Sequence, residues 1–146
     1  MATKRVAKAT WENDLLHGHG KVVGTSGGLA EASVSWSSRT EASAGRTSPE
    51  ELLAAAQAAC LSMALSNGLA KMGKAPERIE VTATCTFDRV GDQWTVTTMD
   101  LDIGAKAAGL DAASLASAAD AASKGCPIAR AIQGNVAVRV AATRLL

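Results

Sequence analysis

Apolar and polar residues alternate in three short stretches near the start of the chain, at positions 6–11, 20–25 and 31–37. Alternation with a period of two is typical of half-buried β-strands. Glycines separate the stretches, and Gly27-Gly28 is a strong turn pattern. The pattern predicts a three-stranded antiparallel meander, followed over residues 37–47 by a polar connection without periodicity.

A long apolar helix is predicted to begin after Ser48. Serine is a preferred N-cap, proline is favoured at the first helical position, and acidic side chains complement the positive end of the helix dipole; Ser48, Pro49 and Glu50 supply all three. Glu51, three residues after the serine, completes a capping-box pattern. The helix continues to about residue 72 with alanine or leucine on nearly every face. A helix that is apolar all round belongs inside a core.

The second half of the chain begins with a pattern that predicts a β-hairpin. Apolar and polar residues alternate over positions 79–87 and again over positions 94–103, with the turn pattern Gly91-Asp92 between them. The two parts of the second stretch are in opposite phase. A β-bulge near residues 97–98 would return its apolar side chains to one face of the sheet.

Two helices and a strand are predicted after the hairpin. Asp111 is a suitable N-cap and Gly125 a suitable C-cap for the first helix, and Pro127 starts a short second helix that ends near residue 133. Alternating valines near the end of the chain predict a closing strand. The sequence contains no repeats and no low-complexity linker. We therefore predict an α+β fold in a single domain that spans residues 1–146.

Composition changes the expected character of the core. Hydrophobic residues make up 47% of the chain, but aromatic residues make up only 3%. Alanine, valine and leucine must fill the interior, and alanine buries little surface per residue, so we expect close helix packing and a core completed by a second subunit. The three tryptophans fall on or beside predicted strands, where each could anchor the core or line a substrate pocket.

Charge and hydropathy argue against two classes of partner. The formal net charge is +1 with both signs interspersed, whereas a nucleic-acid-binding protein carries a clustered basic face. No segment approaches the ~18 apolar residues that span a bilayer, and the first residues have no apolar signal-peptide core. We expect a cytoplasmic protein with no nucleic-acid or membrane partner, in which the three cysteines are free or redox-active.

The candidate chemistry depends on Cys60, which lies in a neutral part of the long helix. A buried thiol without a neighbouring cation has a raised pKa and behaves as a small core hydrophobe. A reactive Cys60 therefore needs a cation from elsewhere in the fold, and the preceding polar segment offers Arg39 and Arg46. Glu50 and Glu51 are the candidate carboxylates to hold that guanidinium.

The other cysteines and the histidines differ in context. Cys126 lies between a glycine and a proline at a helix junction, where free N–H groups favour a reactive and accessible thiol. Cys85 is in phase with the apolar side of its strand and is expected in the core. His17 and His19 have no neighbours that form a known zinc pattern, so we expect two solvated imidazoles and no metal site.

Two cysteine motifs resemble those of a known family. The segment from Thr47 to Leu65, TSPEELLAAAQAACLSMAL, resembles the helix of the osmotically inducible protein C (OsmC) family, and Gly125-Cys126-Pro127-Ile128 is similar to that family's second cysteine motif. Trp11-Glu12 and the early glycines also match, so the resemblance covers essentially the whole chain. Arg39 follows the third predicted strand, as in the OsmC branch, whereas the sister branch of organic hydroperoxide resistance proteins takes its arginine from nearer the N-terminus. Gln57 stands where the family often has histidine or another residue.

The resemblance implies a thiol-dependent peroxidase that reduces organic hydroperoxides, and hydrogen peroxide less efficiently. It implies that Cys60 is the peroxidatic thiolate, that Cys126 resolves it as a disulfide, that Arg39 activates the thiolate and that Glu50 orients Arg39. It also implies antiparallel sheets around a long central buried helix, an intertwined homodimer with active sites at the subunit interface, a lipoyl-type or small dithiol reductant, and no cofactor. The alternative is a non-enzymatic protein of the same fold that binds an apolar ligand or senses oxidation.

Overall fold

The computed structural model describes all 146 residues of the chain. The fold is α+β, as predicted, with two three-stranded sheets, one helix of 23 residues and three shorter helices. The chain forms two compact units: an N-terminal unit, Met1–Leu52, and a C-terminal unit, Leu53–Leu146. The single domain over residues 1–146 stays a prediction.

The N-terminal unit contains the predicted antiparallel meander, in which the strand order follows the chain. Its second strand begins at His19, which pairs with Glu12 of the first strand. The first turn therefore lies at residues 13–18 and includes Gly18. The strands are β1 (Ala7–Glu12), β2 (His19–Gly24) and β3 (Ala32–Val34).

A short helix, α1 (Ser37–Thr40), follows β3. The sequence predicted a connection without periodicity here, because four residues are too few to show a helical pattern. Serine hydroxyls stabilise the turn: Ser35 Oγ accepts the Ser38 backbone N–H at 3.1 Å, and Ser38 Oγ donates to the Ser35 carbonyl at 2.8 Å. The turn fixes the backbone position of Arg39.

The long helix, α2 (Pro49–Lys71), begins as predicted. Ser48 Oγ accepts the backbone N–H of Glu51 at 3.1 Å, which makes Ser48 its N-cap. The reciprocal half of the capping box is not formed, because the Glu51 carboxylate accepts the Thr47 hydroxyl at 2.6 Å instead. Of the two acidic residues in the first turn, Glu50 is the buried one.

The C-terminal unit contains the predicted hairpin and closing strand. Gly91 adopts a φ of +61° in the tight hairpin turn, a conformation that favours glycine. The predicted bulge is confirmed, because the register shifts opposite Thr86 and Phe87 and leaves Thr97 without a paired residue. The first two strands pair antiparallel and the last two pair parallel; they are β4 (Pro76–Val90), β5 (Gln93–Ala107) and β6 (Ala137–Leu145).

Two helices lie between β5 and β6, namely α3 (Ala112–Gly125) and α4 (Pro127–Ile132). Asp111 is the N-cap of α3, as predicted, and accepts the Ser114 N–H at 2.8 Å. The prediction of Gly125 as a C-cap is wrong, because Gly125 is the last helical residue and has no positive φ. Cys126 ends α3 instead: its backbone is extended, as the steric demand of a following proline requires.

The core of the C-terminal unit lies between β5 and the helices α2 and α3. Cys85 packs against it, as predicted. Aliphatic side chains fill this core, as the low aromatic content requires; Leu61, Leu65, Leu69, Met99, Leu101, Ile103 and Leu115 are fully buried.

Helix α2 is buried along one stripe in the single chain. Gln57, Leu61, Leu65 and Leu69 recur every four residues and are fully buried, whereas Met63 is 68% exposed on another face. The sequence predicted that α2 would be buried on all sides. In the single chain this stripe is buried and the other faces of the helix are not.

By length and composition, α2 qualifies as a candidate membrane span, with a mean hydropathy of 1.4 in its most apolar window. The sequence did not predict this span, because glutamine, serine and asparagine residues interrupt the apolar run. The core helix of a soluble protein passes the same test, so one such helix is little support for a membrane protein.

Candidate active site

The structure brings the two predicted cysteines together within the C-terminal unit. Cys60 lies in the middle of α2, and Cys126 lies at the junction between α3 and α4. The Cys126 thiol donates to Cys60 Sγ, with the two sulfurs 2.7 Å apart. Both cysteines are free thiols, and a disulfide bond of about 2.05 Å would need only a small movement of the side chains.

The environment of Cys126 differs from the prediction. Its side chain is fully buried, so the expected accessibility is wrong. The backbone N–H of Cys126 continues the α3 ladder to the Ala122 carbonyl at 2.9 Å, and its thiol makes no cap hydrogen bond to α4. Of this pair, Cys60 is partly exposed and is the one open to a reagent from solvent.

The pKa of Cys60 is raised above its ordinary value in the single chain. Burial is the largest cause, followed by the hydrogen bond between the two thiols, which favours the protonated form of Cys60. The backbone N–H of Ile128, in the first turn of α4, donates to the Cys60 sulfur and lowers the pKa in part. A free N–H group at this junction therefore donates to the Cys60 sulfur, although the sequence suggested that such groups would donate to Cys126.

Gln57 is a third member of this cluster, and the sequence assigned it no role. It is fully buried, and its Nε2 lies 3.8 Å from Cys126 Sγ. Its spacing from Cys60 could have identified it, because residues three apart on a helix share a face. A polar residue in the otherwise apolar stripe of α2 is a second signal for it in the sequence.

The N-terminal unit holds the predicted ion pair of Arg39 and Glu50. Arg39 Nη2 donates to Glu50 Oε1 at 2.6 Å, and Arg39 Nε donates to the same carboxylate at 3.2 Å. The carboxylate side chain is 8% exposed and the arginine side chain 28%. A buried carboxylate needs such a partner, and a forked guanidinium holds it in one orientation. Arg46 is exposed and does not join this pair.

An apolar cavity of about 310 Å³ lies beside Arg39 in the N-terminal unit. Arg39 also lies over the ring of Trp36, with its guanidinium carbon 5.5 Å from the ring centroid. Trp11 is 43% exposed and lines the cavity, so of its two predicted roles the structure supports the pocket and not the core. The other cavity walls come from Leu15, Val34, Ser35 and Pro49.

The two histidines are exposed: His17 lies in the turn between β1 and β2, and His19 is the first residue of β2. His17 contacts Asp14 and His19 contacts Glu12, so each imidazole has one carboxylate neighbour. The structure contains no cluster of three or more histidine, cysteine, aspartate or glutamate side chains that could hold a metal ion.

Comparison with known proteins gives a consistent assignment. The family described as OsmC-like protein matches residues 41–141 of this chain. Peroxiredoxin OsmC of Escherichia coli (strain K12) is 34% identical over 136 residues, which is 93% of this chain and 94% of that protein.

Solved structures agree on the fold. The organic hydroperoxide resistance protein OsmC of Legionella pneumophila has a TM-score of 0.74 at 23% identity, over 98% of each chain. The organic hydroperoxide resistance protein OhrB of Bacillus subtilis has a TM-score of 0.65 at 24% identity, over 97% of this chain and 98% of that one.

Proposed function

The chain belongs to the OsmC family and is a peroxiredoxin-like enzyme, and on that premise we propose that it reduces organic hydroperoxides through Cys60 and Cys126. Its substrate is a hydroperoxide and its reductant is a thiol, as for peroxiredoxins in general. The observation that carries the proposal is the 2.7 Å approach of a partly exposed thiol to a fully buried one.

In the proposed first step, the Cys60 thiolate attacks the terminal oxygen of the hydroperoxide. The O–O bond breaks, the sulfur keeps the hydroxyl as a sulfenic acid, and the departing alkoxide takes up a proton to become an alcohol. Cys60 is oxidised by two electrons and the peroxide is reduced by two. The proposed step uses no metal, haem or flavin.

In the proposed second step, Cys126 condenses with the sulfenic acid to form a disulfide and water. This removes the sulfenic acid before another peroxide converts it to sulfinic acid. A dithiol of the lipoyl type, or another small dithiol, then reduces the disulfide and is itself oxidised to a disulfide. The family resemblance supports this class of reductant.

The thiolate in this scheme needs a cation, because burial raises the pKa of Cys60. We assign that task to Arg39, oriented by Glu50. We propose that this pair comes from a second copy of the chain, as in the intertwined homodimer with active sites at the subunit interface that the family resemblance implies.

The exposed surface of α2 supports the same assembly. Only 22% of its most apolar window is buried in the single chain, although alanine and leucine dominate the helix. A second copy would cover that surface, which explains how a chain with few aromatic residues completes its core. We place the dimer in the cytoplasm, where thiols stay reduced.

The proposed function is tested by mixing the reduced protein with cumene hydroperoxide or hydrogen peroxide in the presence of a small dithiol. We expect catalytic consumption of both, with cumene hydroperoxide at least tenfold faster. The apolar cavity beside Arg39 is the reason: about 100 Å² of buried apolar surface is worth about 2.5 kcal/mol, more than a tenfold difference. Stopped-flow rates measure the ratio. Consumption no faster than in buffer with the dithiol alone would remove the proposed function.

The resolving role of Cys126 predicts a specific failure in Cys126→Ser. The first equivalent of peroxide should react at close to the wild-type rate, because Cys60 is intact. Without a resolving thiol, further peroxide should convert Cys60 to sulfinic acid and stop turnover within a few cycles. Mass spectrometry detects the added oxygens on the Cys60 peptide. Sustained turnover at the wild-type rate would contradict the assignment.

The alternative function also has a specific observation in its favour. The raised pKa of Cys60 and the apolar cavity suit a protein that binds an apolar ligand or senses oxidation without turnover. Catalytic consumption of peroxide separates the two, because a ligand-binding protein or a sensor reacts at most once per thiol pair.

A further inference from the structure

Gln57 is a buried polar residue that the proposed cycle does not use. It lies on the buried stripe of α2, one helical turn before Cys60. We propose that Gln57 is a positioning residue for the resolving step: its amide holds Cys126 Sγ beside Cys60 and stabilises the thiolate that Cys126 becomes. The inference deepens the proposed function and rests on it for the oxidant, but the contact itself can be tested without a peroxide.

The nitrogen end of the Gln57 amide contacts Cys126. Nε2 lies 3.8 Å from Cys126 Sγ, while the Cys126 thiol donates its own hydrogen to Cys60 Sγ. The Cys126 sulfur can therefore only accept from Gln57, and an amide N–H is the donor that fits. The contact is long because a neutral thiol is a weak acceptor. Hydrogen bonds to an ionised group are shorter and stronger, so this one tightens as Cys126 loses its proton.

The oxygen end of the same amide has no partner. Gln57 Oε1 is the one buried side-chain nitrogen or oxygen atom without a hydrogen bond in this structure. Buried acceptors are nearly always paired, so an unpaired one points to a donor that appears in another state of the protein. The sulfenic hydroxyl of Cys60 is such a donor, since residues three apart on a helix share a face.

The chemistry of resolution explains why this amide matters. The Cys126 thiolate attacks Cys60 Sγ, an S–S bond forms and the S–O bond breaks. The released hydroxide combines with the proton that Cys126 gave up, so the products are a disulfide and water. The Cys126 sulfur is oxidised and the Cys60 sulfur is reduced. A thiolate is the attacking species, so a donor that stabilises it at Cys126 raises its population.

Gln57→Met tests the contact, because methionine keeps the length of the side chain and removes both ends of the amide. Reduced wild type and variant are mixed with oxidised glutathione. Cys60 attacks it and forms a mixed disulfide, and Cys126 then displaces the second glutathione. Acid quenching, alkylation and mass spectrometry follow both steps. We expect the first step to change by less than about twofold and the second to slow at least about tenfold, as for a lost hydrogen bond to a charged group.

Gln57→His is the matched rescue variant, because imidazole keeps an N–H donor. Resolution close to the wild-type rate in Gln57→His, with slow resolution in Gln57→Met, supports a donor role over simple packing. The proposal is overturned if Cys126 displaces glutathione at the same rate in wild type and Gln57→Met. It is also overturned if this rate in Gln57→His is as low as in Gln57→Met. A wild type that resolves glutathione normally but consumes no hydroperoxide removes the proposed function and leaves the Gln57 assignment intact.

Discussion

Replacement of Cys60 by serine should abolish peroxide consumption, with a loss of at least ~10³-fold in kcat/KM for cumene hydroperoxide. The proposed reaction forms its first bond at the Cys60 sulfur, and a serine hydroxyl stays protonated and unreactive in a neutral, apolar helix. Stopped-flow consumption of the peroxide by the reduced protein measures the loss. Residual consumption within tenfold of the wild-type rate would show that another group carries the reaction.

Cys85→Ser is the matched control for Cys60→Ser. Cys85 is also a partly exposed thiol, but it lies on β4 and packs against the core of the C-terminal unit. We expect near wild-type activity in Cys85→Ser. Loss of activity in both variants to the same degree would indicate a general effect of thiol removal on the fold.

The second large effect is expected for Arg39→Met, a loss of roughly 10²-fold in kcat/KM. A neighbouring guanidinium lowers a thiol pKa by about 1–3 units. A pKa shift of two units lowers the thiolate fraction at neutral pH by ~100-fold. The more basic thiolate is about eightfold more nucleophilic, which offsets part of that loss. The change in ionisation therefore lowers the rate by about tenfold. The remainder comes from the lost stabilisation of the departing oxygen. Arg46→Met, in the same polar segment, is the control that should retain activity.

The pH profile of Arg39→Met shows in which direction Arg39 shifts the pKa of Cys60. Loss of the cation raises the pKa of Cys60 further, so the reaction should need a higher pH, with its midpoint shifted upward by about 1–3 pH units. The fold needs a separate control, because Arg39→Met leaves the buried Glu50 carboxylate unpaired at a cost of about 1–3 kcal/mol. Arg39→Met/Glu50→Gln should recover the thermal stability and keep the lowered kcat/KM and the raised pH midpoint of Arg39→Met. An unchanged pH midpoint in both variants would remove Arg39 from the activating role.

Local sequence rules predicted most of the fold. Ser48 and Asp111 cap their helices, Gly91 forms the hairpin turn, and the phase change near Thr97 produces a bulge. Each of these features depends on a few neighbouring residues. Gly125 failed as a C-cap because the following Cys126-Pro127 pair already forces an extended backbone and needs no left-handed residue.

The candidate site was less accessible from the sequence. Both arginines lie in a polar segment without periodicity, and the choice of Arg39 over Arg46 depends on α1, whose four residues show no helical pattern. The accessibility of Cys126 was predicted wrongly because the packing of α3 and α4, and not the local sequence, decides its burial. Gln57 could be assigned to the site only from its contact with Cys126, which is 69 residues away in the chain.

The unequal burial of the two sulfurs also determines the regiochemistry of recycling. In a Cys60–Cys126 disulfide, an external thiolate can approach only the partly exposed Cys60 sulfur, since Cys126 is fully buried. Cys60 is then the electrophile and Cys126 the leaving group, and the amide N–H of Gln57 favours departure of Cys126 as it favours its attack. In the proposed cycle, the reductant therefore binds covalently to the same sulfur that first reacts with the peroxide, and one opening to solvent admits both reagents.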